Sequence, residues 1–185
     1  MSAQAKQHLR QKARLIRANL RAALPDFAES LARHAADLAI APGTLVGAYA
    51  PLPDEADPTA LVQVLAKTCP IAYPRVVSNS AALAFHLWAG EALTPGAFGI
   101  REPAEEWPIV YPSVLLVPLL AFDAQGGRLG YGKGHYDRTL SAHPARAIGI
   151  AFAGQEMPTI PTEHHDHPLD MILTEKGVRH IRRDS

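Results

Sequence analysis

Val114-Leu115-Leu116-Val117-Pro118-Leu119-Leu120-Ala121-Phe122, followed after a short gap by Arg128-Leu129-Gly130-Tyr131-Gly132-Lys133-Gly134-His135-Tyr136-Asp137-Arg138, is the stretch from which the fold is read. The first part is an apolar run rich in Val and Leu, the pattern of a strand buried on both faces. In the second part, three glycines on alternate positions allow a tight turn and bring backbone N–H groups close to a bound anion. A helix is expected to begin around His135, its N-terminal dipole adding to the attraction for phosphate. Lys133, Arg128 and Arg138 supply full charges, and Asp137 stands where a carboxylate can hold Mg²⁺. Strand, glycine turn, cation, helix start and acid, in that order, describe a nucleotide-phosphate site.

The turn completes no common phosphate fingerprint. Gly127-x4-Gly132-Lys133 fits most of the P-loop pattern, but position 134 is Gly where the hydroxyl that binds Mg²⁺ belongs. A Rossmann fingerprint also fails, because the spacing is G-x-G-x-G. The plain alternative is a glycine-rich turn carrying surface charges. The density of charged and aromatic residues in so tight a turn argues against it.

Outward from this stretch, helices and strands alternate. Phe27 to Ile40 reads as helix and Thr44 to Ala50, before Pro51, as a strand. Asp57-Pro58 starts a helix whose Leu61, Val62 and Leu65 face inward. Ile71 to Tyr73 is expected to be a strand ending at Pro74, and Leu83 to Trp88 another. Residues 89–113 are rich in Pro and Gly and read as loop. After the strand at 114–122, the glycine loop and a short helix, Ala147 to Phe152 and Met171 to Thr174 complete the strands. Such alternation predicts an α/β fold, a three-layer α/β/α arrangement with a mostly parallel central sheet, in one domain spanning residues 1–185.

The chain of 185 residues is long enough for a substantial core. Its 48% hydrophobic and 19% charged content is that of a globular protein. Formal net charge is zero, so no overall field draws it to nucleic acid or an anionic membrane. The single Cys69 permits no internal disulfide, lacks a local motif and is expected to be buried and inert. No apolar run approaches a membrane span and no signal-peptide pattern is present, so a cytoplasmic location is expected.

The amino end is basic. Lys6, Arg10, Lys12, Arg14, Arg17 and Arg21 occur with no acid among residues 1–21. Leu9, Ala13, Ile16 and Leu20 form one apolar helical stripe, and Lys6, Arg10, Arg14, Arg17 and Arg21 an adjacent basic one. Most of that basic stripe is expected to be a solvated face. A transit peptide is also Arg-rich, but no Ser-rich stretch accompanies it. Lys6 and Arg10, one turn apart, are candidates to reach a phosphate.

In folds of this class ligands collect at the carboxyl ends of strands. Three segments other than the glycine loop are expected there. In Pro51 to Asp57 the acids cap the next helix or face a ligand. Pro95 to Pro103 carries the aromatic Phe98. Ile160 to Asp170 holds His164, His165 and His167, whose adjacency gives no fixed zinc-ligand spacing, so a solvated polar loop is expected.

Taken together, these features resemble the 5-formyltetrahydrofolate cyclo-ligase family, also called 5,10-methenyltetrahydrofolate synthetase. The resemblance runs through Lys6-x-x-x-Arg10, Asp54-Glu55, Gly96 to Pro103, Val117-Pro118 and Phe122-Asp123. It continues in Arg128 to Asp137, Gly149 to Phe152 with Gln155, and Pro161 through Asp166 to Asp170. It implies an enzyme of one-carbon metabolism that binds ATP and Mg²⁺ and closes 5-formyltetrahydrofolate to 5,10-methenyltetrahydrofolate, releasing ADP and phosphate. It further implies that Lys6, Arg10, Arg128, Leu129, Gly130, Tyr131, Gly132, Lys133, Gly134, His135 and Tyr136 contact ATP. Lys133 and Arg128 would carry the catalytic charge, and Asp137 and Asp166 would hold Mg²⁺. Glu55, Ala50, Phe98 and the segment Tyr131, Gly132, Lys133, Gly134 and His135 would face the folate. His135 departs from the family, which usually has Tyr there. The expected partners are the two small molecules alone, on a monomer. Two other readings stay open: a non-catalytic nucleotide- or RNA-binding domain on the same scaffold, and a P-loop-like kinase.

Overall fold

The computed structural model describes residues 3–96 and 99–182. In chain order the elements are α1 (Ala3–Ala23), α2 (Phe27–Ala32), β1 (Val46–Gly47), α3 (Thr59–Leu65), β2 (Ile71–Arg75), β3 (Ala84–Leu87), β4 (Thr94–Pro95) and β5 (Arg101–Glu102). They continue with β6 (Ile109–Val110), β7 (Val114–Pro118), β8 (Ala121–Phe122), β9 (Arg128–Leu129), α4 (His135–Ala142), β10 (Arg146–Ile150), β11 (Met171–Thr174) and β12 (Gly177–His180). The main sheet has the order β12-β11-β10-β7-β1-β2-β3-β6. Its five central strands are parallel to their neighbours, while β12, β3 and β6 join antiparallel at the two sides.

Side-chain alternation along each buried strand builds the two faces. Val114 and Leu116 of β7, Ile148 and Ile150 of β10, and Met171 and Leu173 of β11 share one apolar cluster with Phe27 and Leu31 of α2 and Leu61, Val62 and Leu65 of α3. The intervening Leu115 and Val117, Ala147 and Ile172 meet Leu140 of α4 on the opposite face. Helices therefore cover both sides, and the layers are α/β/α as expected. Gly47 of β1 is required by packing: a Cβ there would stand 2.5 Å from Leu115 Cδ2 and 2.7 Å from the Phe85 ring.

Several elements depart from expectation. The helix read over Phe27–Ile40 stops at Ala32. A 3₁₀ turn, Ala36–Leu38, follows it, and Ala39 at φ 48° ends the turn in the left-handed region. Pro74 does not end β2, which continues to Arg75. β1 runs opposite only Ile71 and Ala72, so the missing N–H of Pro74 breaks no ladder on that side. The apolar run 114–122 is two strands. β7 ends at Pro118, and β8 leaves the sheet to form a separate hairpin with β9. Within 89–113, read as loop, three short strands form, and β12 lies beyond the last strand expected. Among the described residues no helix is long and apolar enough to cross a membrane.

The connection pattern fixes where a crevice opens. From β1 the chain passes through α3 to β2 on one side, whereas β7, β10 and β11 extend the sheet on the other. The order reverses between β1 and β7, and a ligand is favoured outside the carboxyl ends of strands at such a point.

Candidate functional site

The residues leaving the carboxyl ends of β1 and β7 are the loop 48–57 and the β8–β9 hairpin, which runs directly into the glycine loop. α1 lies across them. Its Ala13 packs in a small cluster with Leu120, Ala121, Leu129 and Ile160, flanked by Leu9 and Tyr131. Because α1 is seated on the hairpin, its basic residues are carried to the crevice rather than to an unrelated surface.

The glycine loop needs its glycines in different ways. Gly132 and Gly134 have φ of 91° and 65°, where a side chain is strained. At Gly130 an added Cβ would meet nothing within 4 Å, so its lack of a side chain leaves open space beside the backbone. Gly134 is the N-cap of α4. Arg138, one turn into that helix, fastens the loop from below. Its Nη2 donates to Lys133 O at 2.7 Å and Asn79 O at 3.0 Å, and its Nε to Ala81 O at 3.1 Å. Arg10 Nε donates to Gly130 O at 3.1 Å from the other side.

Positive charge gathers around this loop. Arg10 meets it directly, Lys133 is exposed on it, and Arg128 precedes it. Lys6 pairs with Glu163, drawing the start of α1 toward the segment 159–168. Arg128 Nη1 donates to the His167 carbonyl, and its Nη2 lies 2.5 Å from Asp137 Oδ1, which also accepts the His167 N–H at 3.0 Å. Between the hairpin and 159–168 lies a cavity of about 370 Å³, lined among others by Asp123, Arg128, Thr162, Glu163, Asp166 and His167. That volume falls in the range of small-molecule sites.

The donor set suits a magnesium ion better than a transition metal. Asp137 uses one oxygen for both protein contacts, and Asp166 uses Oδ2 to accept the Glu163 N–H at 2.7 Å. Among the described residues no group of three or more His, Cys, Asp or Glu is arranged to hold a metal. One or two carboxylates with waters and substrate phosphates are the usual protein share for Mg²⁺, so Asp137 and Asp166 fit.

Across the crevice, the loop after β1 delivers Glu55 into the interior, with only 4% of its surface exposed. Oε1 accepts the Tyr131 hydroxyl, and Oε2 accepts the Leu52 N–H at 2.8 Å. Burial raises the Glu55 pKa above its ordinary value; the Tyr131 and Leu52 hydrogen bonds and the Arg17 charge oppose that rise without cancelling it. Tyr131 and Tyr136 are pushed far up, first by burial and then by the Glu55 charge, so both stay as neutral hydroxyls. Glu55 is thus a buried acceptor whose two hydrogen-bond donors are neutral.

The structure brings Glu55, Tyr131, Gly130, Arg10 and Arg128 to the same crevice, and Lys6, Asp137 and Asp166 to the cavity side of it. Ala50 is half-buried at the start of the Glu55 loop, and Leu129 is buried in the cluster with Ala13. His135 turns away toward the 79–81 loop, its Nδ1 3.2 Å from Ala81 O. Tyr136 packs on the α4 face of the sheet. Phe98 lies outside the described residues.

One residue of the basic stripe, most of which was expected to be solvated, is an exception. Arg17, a member of that stripe, is 1% exposed. Its Nη2 meets Asp54 Oδ2 at 2.6 Å and its Nη1 donates to the Tyr131 hydroxyl. The signal was present in the spacing: Arg17 stands four residues after Ala13 and three before Leu20, on the inward face. Tyr49, buried and donating to the Ala56 carbonyl, was also missed. It shapes the loop that carries Glu55.

Comparison with known proteins supplies the remaining constraint. A family model described as the 5-formyltetrahydrofolate cyclo-ligase family matches residues 2–175. The chain is 33% identical over 187 aligned positions to the 5-formyltetrahydrofolate cyclo-ligase of Haemophilus influenzae, covering 94% of this chain and 99% of that one. With the enzyme of the same name from Mycolicibacterium smegmatis it shares 34% identity, covering 76% and 78% respectively. Among solved structures, the Aquifex aeolicus 5,10-methenyltetrahydrofolate synthetase superposes with a TM-score of 0.80 at 31% identity, covering 97% of this chain and 94% of that chain.

Proposed function

The chain belongs to the 5-formyltetrahydrofolate cyclo-ligase family, and from that membership we propose that it converts 5-formyltetrahydrofolate to 5,10-methenyltetrahydrofolate in a step driven by ATP, with release of ADP and phosphate. The observation that carries this reading for these residues is the contact between Tyr131, on the glycine loop, and Glu55, on the loop after β1. It puts a phosphate-type turn and a buried carboxylate within one side chain of each other, as a reaction joining a nucleotide to a second substrate requires.

A formamide is a poor electrophile, because nitrogen feeds electron density into the carbonyl. In the proposed sequence the formyl oxygen attacks the γ-phosphorus of ATP, an O–P bond forms, and the bond to ADP breaks. N10 of the folate then attacks the formyl carbon, phosphate leaves with the former formyl oxygen, and the N10 proton is lost. Attack from within one molecule replaces the need for a strong nucleophile. Phosphoryl transfer needs positioning and charge neutralisation more than covalent help. Lys133 and Arg128 would follow the charge on the transferring group, Lys6 and Arg10 would hold the nucleotide, and the glycine-loop N–H groups would act as fixed donors. Asp137 and Asp166 would hold Mg²⁺, which supplies charge neutralisation on the phosphates. Glu55 would accept N–H donors of the reduced pterin, with Ala50 and the segment Tyr131 to Gly134 against the same substrate. No protein nucleophile is needed.

The test is ADP formation by the protein with Mg·ATP, with and without 5-formyltetrahydrofolate. The reading expects ADP release to depend on the folate, one per product. Folate-independent hydrolysis would point to a P-loop-like kinase or ATPase, and ATP binding without turnover in either case to a binding domain.

A further inference from the structure

Arg17 is the largest fully buried charged side chain described, and the proposed chemistry assigns it no role. It joins three elements. Nη1 donates to the Tyr131 hydroxyl and lies 3.4 Å from the Leu119 carbonyl at the end of β7, while Nη2 binds Asp54 at 2.6 Å. Nη1 also lies 3.9 Å from Glu55 Oε1. The guanidinium carbon sits 5.3 Å from the Tyr131 ring centroid, and Nε is buried with no partner among the described residues. An apolar residue of similar length would fill this place without an unsatisfied donor. Stability alone therefore gives a weak account of a cation here.

We propose that Arg17 is a positioning residue for the folate reaction: its charge favours the ionised form of the Glu55 carboxylate, and its hydrogen bond orients the Tyr131 hydroxyl so that Glu55 meets the folate in one geometry. The inference rests on the reading of Glu55 as the folate contact. Glu55 is met by Arg17 from α1 and by Tyr131 from the glycine loop, and it interacts electrostatically with Tyr136 of α4 and with Tyr49 and Asp54 of its own segment. The three tyrosines are held neutral by burial, and Asp54 disfavours ionisation of Glu55. Arg17 is the single cation in this set. The charge balance on Glu55 is thus set by Arg17 against Asp54, and the two residues are themselves paired.

That balance predicts shifts of opposite sign. Replacing Arg17 by Met removes the attraction and moves the titration of Glu55 to higher pH. Asp54→Asn removes the repulsion and frees Arg17 from its second anion, so the titration moves to lower pH. Each displacement is expected to be about one pH unit, the scale of a single charge within several ångströms. The titration is read directly by carbon NMR of the Glu55 carboxyl in the ligand-free protein, and by the acid limb of kcat/KM for 5-formyltetrahydrofolate at saturating ATP. Arg17→Lys, which keeps the charge but not the fork, is expected to restore the limb while leaving KM for the folate raised.

Opposite shifts in the Arg17→Met and Asp54→Asn proteins support the proposal. An unmoved Glu55 titration in folded Arg17→Met, or shifts of the same sign in both, overturns it and leaves Arg17 a structural strut. Where Arg17→Met does not fold, the more exposed Asp54 still decides by the sign of its shift. Glu55→Gln separates this proposal from the reading beneath it. If that variant turns over folate normally, the folate role of Glu55 fails, whereas if it is impaired while the Arg17 variants leave the limb in place, only the positioning role fails.

Discussion

The Arg17 guanidinium lies 2.6 Å from the Asp54 carboxylate, joining the amino-terminal helix to the loop that follows the first strand. The two residues are 37 positions apart in sequence, and their contact closes one wall of the crevice at the β1/β7 reversal. Arg10 does the same for the glycine loop through the Gly130 carbonyl, and Lys6 for the 159–168 segment through Glu163. One helix therefore ties together three loops from distant parts of the chain, which is why a basic amino-terminal stripe belongs to the site at all.

Lys133→Ala removes a point charge expected to follow the transferring phosphoryl group. Turnover is expected to fall about a hundredfold or more, as when a positioned electrostatic donor is removed. The thermal midpoint is expected to hold, because Lys133 is exposed. Steady-state kinetics with a melting curve check this, and activity within a few-fold of the parent would reduce Lys133 to a surface charge.

Asp137→Asn keeps the shape of the side chain and loses its charge. The Mg²⁺ concentration for half-maximal rate should rise strongly. Because Asp137 also pairs with the mostly buried Arg128 at 2.5 Å, a stability loss of about 1–3 kcal/mol is expected as well. Denaturant unfolding reads the second effect without Mg²⁺. An unchanged Mg²⁺ titration in a folded variant would shift attention to Asp166.

Gly134 and Gly130 should separate strain from approach. Gly134→Ala places a Cβ at φ 65° and 2.9 Å from Arg138 Nη1, so destabilisation of about 1–2 kcal/mol is expected. Gly130→Ala meets nothing within 4 Å and should leave stability intact. If the backbone at Gly130 approaches a phosphate, that substitution raises KM for ATP. Melting curves and ATP titrations of the pair distinguish the two roles, and a destabilised Gly130→Ala with unchanged KM would contradict the assignment.

Glu55 should leave a mark on stability as well as on binding. Its pKa in the folded protein is raised above the ordinary 4.5, chiefly by burial. A carboxyl raised on folding contributes stability that is complete below its unfolded value and is lost as pH rises through its folded one. The stability of the parent relative to Glu55→Gln should therefore decline as pH increases from about 4.5 upward. Unfolding free energies of the two proteins across that window measure it, and a difference growing with pH would mean that Glu55 gains, rather than loses, from ionising in the fold.

Much of this arrangement was legible before the structure. The run from Val114, the glycine turn and the helix at His135 fix the sheet centre and the glycine loop, because their signals are local: apolar continuity, glycine spacing and a helix start. What was not legible depends on tertiary company. Val114 to Phe122 looks like one strand because Leu119 and Leu120 are as apolar as their neighbours. The ladder with β10 ends at Pro118, and Leu120 already donates to Leu129 of the hairpin, so the two residues form a corner. β12 escaped because its polar Arg179 and His180 stand at an exposed sheet edge, where alternation carries little pattern. Arg17 was misread because residue type was weighed above position. An arginine on the inward stripe of a helix is buried when acids on another loop await it, and Asp54 and Glu55 lie far from Arg17 in sequence.

The central claim is that these residues together catalyse ring closure of 5-formyltetrahydrofolate. It is tested most directly by following the absorbance of the methenyl product on mixing the protein with Mg·ATP and 5-formyltetrahydrofolate. The account predicts product appearing in step with ADP, abolished by omitting either substrate and reduced about a hundredfold or more in Lys133→Ala. Folded protein that binds both compounds and forms no methenyl product would contradict it.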